Sequence, residues 1–134
     1  IGALHTLDVI LPIFMEKNSG HLVFAGSLVG YRGLPGALGY GSSKAAIVNL
    51  SETLRFDLKD TGIKVQLINP GYVKTRLTDK NNFKMPQIMS PEVAAGKMFS
   101  NMNKNNFSSS FPAPFSWLFR VSQLLPESIY FKLF

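Results

Sequence analysis

His21-Leu22-Val23-Phe24-Ala25 runs straight into Gly26-Ser27, and the reading of that stretch decides the fold. A short apolar run without alternation suits a strand covered on both faces, as in a parallel sheet. After it come Gly30, Gly33, Gly36 and Gly39, and then a long helical pattern from Tyr40 to about Asp60. The apolar stripe of that helix is Ile47, Leu50, Leu54 and Leu58, with Asn49, Glu52, Arg55 and Lys59 on its polar side. Gly62 fits the helix C-terminus. Ile63 to Ile68 reads as a second buried strand, ended by Asn69-Pro70-Gly71. Strand, helix, strand in this order gives a right-handed parallel α/β unit.

Outward from this unit, Leu4, Leu7, Leu11 and Phe14 recur at helical spacing, so a helix is expected from about Gly2 to Lys17. A bend is expected at Pro12, and Asn18-Ser19-Gly20 is the stop. Ile1-Gly2-Ala3-Leu4 reads as a helix opening with no cap before it, from which a missing upstream segment is expected. On the other side, Tyr72 to Met89 reads as a loop with a short helical turn. It carries Lys74, Arg76, Lys80 and Lys84 against the single acid Asp79. Its bases could draw an acidic substrate or a cofactor phosphate, but a plain solvated loop is the preferred reading. Ser90-Pro91-Glu92 is an N-cap, a first-turn proline and a first-turn acid, starting a helix to about Met102. Asn106 to Phe111 is expected to be a third strand. Phe115 to Leu125 and Ser128 to Leu133 are expected to be short apolar helices around Pro126.

The 134 residues suffice for one domain, and 46% hydrophobic content excludes a disordered tail. The net charge of +6 comes from scattered bases such as Lys17, Lys59, Lys64, Lys97 and Lys104, a solvated surface with no nucleic-acid tract. The absence of cysteine excludes disulfides and Cys-ligated zinc. His5 and His21 stand alone without matching carboxylates, so no metal is assigned. No apolar run is long enough to span a bilayer, and the default expectation is a soluble, cytoplasmic protein. Residues 111–134 are dense in apolar side chains: Phe111, Phe115, Trp117, Leu118, Phe119, Val121, Leu124 and Leu125, then Tyr130, Phe131, Leu133 and Phe134. They read as a lid or dimer surface over a pocket. The alternative is a peripheral membrane contact, with Arg120 and Lys132 at the lipid boundary. Either use points to a greasy substrate.

Three residues carry chemistry by their spacing. Ser27 ends a strand, Tyr40 follows thirteen positions later, and Lys44 lies one helical turn beyond Tyr40. Reducing a ketone requires a proton at oxygen as hydride reaches carbon. A phenol can deliver it, but with an ordinary pKa of about 10 it needs help near neutral pH. A neighbouring ammonium favours the phenolate, and Lys44 is placed to supply one. Ser27 can hydrogen-bond the substrate oxygen and hold it beside Tyr40.

With these residues the sequence resembles the short-chain dehydrogenase/reductase family, of its compact classical type. The resemblance lies in the thirteen-residue step from Ser27 to Tyr40, in Gly39-Tyr40-Gly41-Ser42-Ser43-Lys44, and in Asn69-Pro70-Gly71-Tyr72-Val73-Lys74-Thr75. It covers roughly Ile1 to Met102. It implies an NAD(P)-dependent oxidoreductase interconverting an alcohol and a carbonyl, homo-oligomeric when complete. It implies catalytic roles for Ser27, Tyr40 and Lys44, and puts Tyr40, Lys44, Pro70, Gly71, Val73 and Thr75 at the cofactor. There the Val73 backbone and the Thr75 hydroxyl would hold the nicotinamide carboxamide, and Lys44 would also bind the ribose. The fold implied is the C-terminal half of a doubly wound, Rossmann-like parallel sheet without its N-terminal strands.

The glycine-rich phosphate turn, the residue that selects NAD or NADP, and the family's Asn before the Ser strand have no counterpart in this sequence. The Gly30 to Gly39 stretch follows the wrong strand to replace the first of these. The alternative reading is therefore a truncated, non-catalytic remnant that acts only through dimerisation or membrane association. Without a neighbouring strand, Leu22 to Ala25 would present an apolar edge. The isolated chain is accordingly expected to bind NADH and NADPH poorly and to aggregate. Titration followed by nicotinamide fluorescence, with light scattering in parallel, checks this. A soluble chain with tight, saturable binding contradicts it.

Overall fold

Helix and strand alternate in the computed structural model, which describes residues 2–76, 78–80 and 82–133. Ile1 of the expected helix opening, Leu77 and Asn81 of the expected loop, and Phe134 of the apolar tail lie outside the described residues. The elements are α1 (Gly2–Lys17), β1 (Gly20–Ala25), α2 (Leu38–Asp57), β2 (Ile63–Pro70), α3 (Pro91–Met102), β3 (Ser108–Phe111), α4 (Phe115–Ser122) and α5 (Glu127–Leu133). Short 3-10 turns occupy Leu28–Gly30 and Thr78–Lys80. The strands form one parallel sheet in the order β1-β2-β3. Gly20 lies opposite Ile63 and Ala25 opposite Ile68; Leu67 lies opposite Ser108 and Pro70 opposite Phe111.

Successive strand residues face opposite sides, and the central strand β2 uses both. Ile63, Val65 and Leu67 pack with Leu22 and Phe24 of β1, Leu7 of α1, and Val48 and Leu54 of α2. On the other face Ile68 packs with Ala94 of α3, Met89 and Phe111, with Val23, Met98 and Met102 beside them. Helices thus cover both faces, the doubly wound arrangement expected. The free edge of β1 pairs with no strand among the described residues. No helix of the described residues is long and apolar enough to cross a membrane.

Element ends follow local chemistry. Asn18 terminates α1 in the left-handed conformation (φ 44°), with Ser19 N–H donating back to the Phe14 carbonyl at 3.1 Å. Ser90 caps α3 by accepting from Val93 N–H at 3.3 Å. The strand expected from Asn106 begins at Ser108, because the Asn106 amide folds onto the Ser108 carbonyl at 2.9 Å and makes a turn of that segment. Gly62 corrects the sequence reading more clearly. Helix α2 ends at Asp57, and Gly62 lies beside the Asn18 backbone, where an added Cβ would come within 2.0 Å of the Asn18 carbonyl oxygen. Its N–H donates to Asn18 Oδ1 at 2.9 Å. This glycine joins the entries of β1 and β2 and does not cap α2.

A polar clip sits within the apolar run of β2. Gln66 is 1% exposed, and its Nε2 lies 3.2, 2.8 and 3.0 Å from the carbonyls of Asn101, Lys104 and Asn106. Its Oε1 is 2.8 Å from His21 Nε2. Lys64 Nζ adds bonds to the carbonyls of Met102 and Lys104 at 3.1 and 2.7 Å. These donors tie β2 to carbonyls of the last turn of α3 and of the segment that follows it. Gln66→Leu is expected to destabilise the chain by about 2 kcal/mol, because the bonds of this buried amide to three carbonyls and to His21 are lost together. A urea midpoint lowered with unchanged slope checks this; an unchanged midpoint contradicts it.

Candidate active site

The carboxyl ends of parallel strands emerge on one rim, and the candidate residues follow from that. Beyond β1, Gly26 N–H donates to the Ile68 carbonyl at 2.9 Å, which carries the pairing one residue further. Ser27 then leaves the sheet as the cap of the Leu28–Gly30 turn, its Oγ accepting from Val29 N–H at 3.4 Å, and is 6% exposed. The turn presses on α2 through Gly30, where an added Cβ would lie 2.9 Å from the Lys44 carbonyl oxygen. Tyr40 stands in the first turn of α2, 55% exposed. Lys44 reaches back from α2 to the sheet, and its Nζ donates to the Ala25 carbonyl at 2.9 Å. The same ammonium is 5.7 Å from the centroid of the Tyr40 ring.

The opposing wall begins where β2 ends. Gly71 N–H donates to the Phe111 carbonyl at 2.7 Å. Val73 forms a parallel bridge with Met89, in which Lys74 N–H meets the Met89 carbonyl at 2.8 Å and Met89 N–H the Tyr72 carbonyl at 2.9 Å. Thr78 folds the strap: its hydroxyl accepts from Thr75 N–H at 2.7 Å and lies 3.0 Å from the Val73 carbonyl. A cleft of about 850 Å³ is lined by Ser27, Tyr40, Lys44, Pro70, Gly71, Val73 and Thr75 together. The seven residues to which the family resemblance gives catalytic or cofactor roles therefore line one cleft. Lys74, Arg76 and Lys84 are exposed and lie outside the lining.

Several contributors escaped sequence reading. Arg32 donates to the Ser122 carbonyl and, at 2.8 Å, to the Leu125 carbonyl, capping the end of α4. Its guanidinium carbon lies 3.8 Å from the centroid of the Tyr130 ring, and Tyr130 Oη donates to the Gly33 carbonyl at 2.6 Å. The C-terminal helices are thereby tied to the loop between Ser27 and Tyr40, and Phe115, Leu118, Phe119, Ser122 and Tyr130 complete the cleft. Tyr31 Oη lies 2.6 Å from Ser110 Oγ and accepts from Asn69 Nδ2 at 3.0 Å. Burial pushes the Tyr31 hydroxyl up, but bonds with Ser110, Ser108 and Arg120 and the Arg120 charge outweigh it and leave it below the ordinary tyrosine value. Burial alone raises Tyr72. Phe115, Leu118 and Phe119 follow the helical period of α4, whereas no periodicity marks Tyr31, Arg32 or Asn69, which act through contacts distant in sequence.

A nicotinamide carboxamide needs both a donor and an acceptor, and Val73 and Thr75, which line the same cleft as Tyr40 and Lys44, carry a backbone amide and a hydroxyl of that chemistry. The residues present fit the nicotinamide end of a dinucleotide. Among the described residues, no glycine-rich turn follows a strand in the way its pyrophosphate end requires.

The family model described as short chain dehydrogenase matches residues 1–86. An uncharacterized oxidoreductase of Myxococcus xanthus is 40% identical over 129 residues, which cover 96% of this chain and 51% of that protein. Another from Escherichia coli, YbbO, is 40% identical over 81 residues, 60% of this chain and 30% of that one. The chain thus spans about half the length of the first relative and about a third of the second. Among solved structures, a short chain dehydrogenase from Burkholderia cenocepacia in complex with NADP superposes with a TM-score of 0.80 at 18% identity, over 96% of this chain and 52% of that one, a likeness of fold alone. Serine dehydrogenase from Escherichia coli gives 0.68 at 25% identity, over 82% of this chain and 47% of that one.

Gly30→Ala tests how the Ser27 turn is held. Its methyl must displace the Lys44 backbone or the turn itself, and a loss of about 1–3 kcal/mol is expected. Thermal unfolding reads the loss; an unchanged midpoint contradicts the close packing of the turn on α2.

Proposed function

The chain belongs to the short-chain dehydrogenase family, and from this premise we propose that its cleft is the catalytic half of an oxidoreductase that interconverts an alcohol and a carbonyl. The observation that carries the proposal is the convergence of Ser27, Tyr40, Lys44, Val73 and Thr75 on the lining of one cleft. NAD or NADP, when bound, accepts or donates the hydride. Solved relatives in complex with NADP, NADPH and NAD support both forms as candidates.

Each residue then has a task. The Ser27 hydroxyl, fixed at the mouth of its turn, holds the substrate oxygen beside Tyr40. The Tyr40 phenol gives its proton to that oxygen in reduction and takes it back in oxidation. The Lys44 ammonium, tethered to the Ala25 carbonyl, holds its positive charge 5.7 Å from the centroid of the Tyr40 ring. Lys44 also offers donors to the ribose. Pro70 and Gly71 turn the chain so that the Val73 backbone and the Thr75 hydroxyl face the carboxamide, with Thr78 holding that strap.

A second reading, a non-catalytic chain acting by association, is favoured by apolar side chains left exposed. Val9 and Met15 of α1 and Phe56 of α2 are 66%, 48% and 74% exposed, which suits a second copy of the chain. Leu124 and Phe131 near α4 and α5 are 84% and 73% exposed, which suits a membrane surface.

Hydride transfer from NADH or NADPH to a panel of ketones and aldehydes separates the readings. In a protein extended to the length of its relatives, Tyr40→Phe is expected to lower kcat by about 10²–10⁴-fold while cofactor still binds. Lys44→Ala is expected to weaken both. Turnover retained by Tyr40→Phe removes it as the acid–base; a protein extended to the length of its relatives that associates but transfers no hydride favours the second reading.

A further inference from the structure

The wall of the cleft beyond its reacting groups says what kind of molecule it takes. Tyr72 follows β2, Phe83 comes from the next loop, and Phe115 and Phe119 come from α4, yet their rings meet in series. The centroids are 6.0 Å apart for Tyr72 and Phe83, 5.8 Å for Tyr72 and Phe115, and 5.1 Å for Phe115 and Phe119. All four rings line the cleft, with Leu118 beside them. Phe83 and Leu118 are 55% and 59% exposed, so apolar surface faces the opening and gains by being covered.

Charge distribution points the same way. Among the described residues lining the cleft, Lys44 alone is charged, and its Nζ is committed to the Ala25 carbonyl. No carboxylate and no arginine stands where the body of a substrate would lie. An ionic group placed against these rings would lose its hydration and find no partner. Sugars and other polyols would leave hydroxyls unpaired there for the same reason.

Resting on the oxidoreductase reading above, we infer that the substrate is an uncharged alcohol or carbonyl compound with an extended apolar body. Its reactive oxygen sits at Ser27 and Tyr40, and its body lies along the wall formed by Tyr72, Phe83, Phe115, Leu118 and Phe119. The wall selects by area covered, so affinity grows with the apolar length of the ligand.

The test is binding, read by saturation-transfer NMR on the full chain without cofactor. The probes are n-butanol, n-hexanol and n-octanol, together with an octanol analogue that carries a carboxylate at its far end. Affinity is expected to rise about fourfold per methylene along the alcohols. The far-end carboxylate is expected to weaken binding by about tenfold or more relative to n-octanol. Phe83→Ser and Leu118→Gln, both at exposed positions, should flatten the series. Leu124→Ser, 84% exposed and outside the lining, should leave it intact. A series without length dependence, a far-end carboxylate that binds as well as n-octanol, or a Leu124→Ser effect equal to that of Leu118→Gln overturns the inference. Since neither cofactor nor turnover enters this measurement, a flat series combined with Tyr40-dependent turnover defeats the apolar assignment alone. A rising series combined with turnover in Tyr40→Phe defeats the chemistry alone.

Discussion

The register of β1 against β2 governs the rest of the molecule. Because the two strands run parallel, both deliver their following residues to the same rim, which places Ser27 and Gly71 on adjacent exits. A one-residue slip would exchange the faces of β1 and bury Val23 where Phe24 now packs. Three kinds of contact prevent it. Apolar side chains fill both faces, His21 reaches Gln66 across the pair, and Gly26 continues the ladder to the Ile68 carbonyl. The ammonium of Lys44 then fastens α2 to the last carbonyl of β1. A lysine that anchors helix to strand also brings its charge beside Tyr40, so one side chain fixes geometry and electrostatics together.

The C-terminal residues complete what the strands begin. Arg32 and Tyr130 join the loop after Ser27 to the end of α4 and to α5, and the aromatic series crosses from the strap after β2 into α4. Tyr31, Asn69 and Ser110 link the rim of the sheet beneath them. Opening of these helices would therefore uncover the cleft and loosen the Ser27 loop in one motion.

Much of this was legible in the sequence where the chemistry is local. Apolar runs gave β1 and β2, periodicity gave α1 and α2, and Ser90-Pro91 marked the start of α3 to the residue. One helical turn made the pairing of Tyr40 with Lys44 legible, while the resemblance to the family pattern supplied Ser27 as their third member. Partners far apart in the chain were not legible. The residues bonded in the pairs Asn69 with Tyr31 and Tyr130 with Gly33 are 38 and 97 positions apart, and nothing in either segment announces the other. Gly62 misled for a related reason: a glycine after a helix usually marks its end, whereas here the approach of Asn18 excludes a side chain.

The central claim is that the space between Tyr40 with Lys44 and Val73 with Thr75 receives a nicotinamide. Nicotinamide mononucleotide tests it most directly, since it carries the half of the cofactor this chain is equipped to meet. In a titration of the isotope-labelled chain followed by amide NMR, shifts confined to Ala25–Ser27, the first turns of α2 and Gly71–Thr78 are the predicted result. Shifts centred elsewhere, or a cleft that stays silent while the rest of the chain responds, would contradict it.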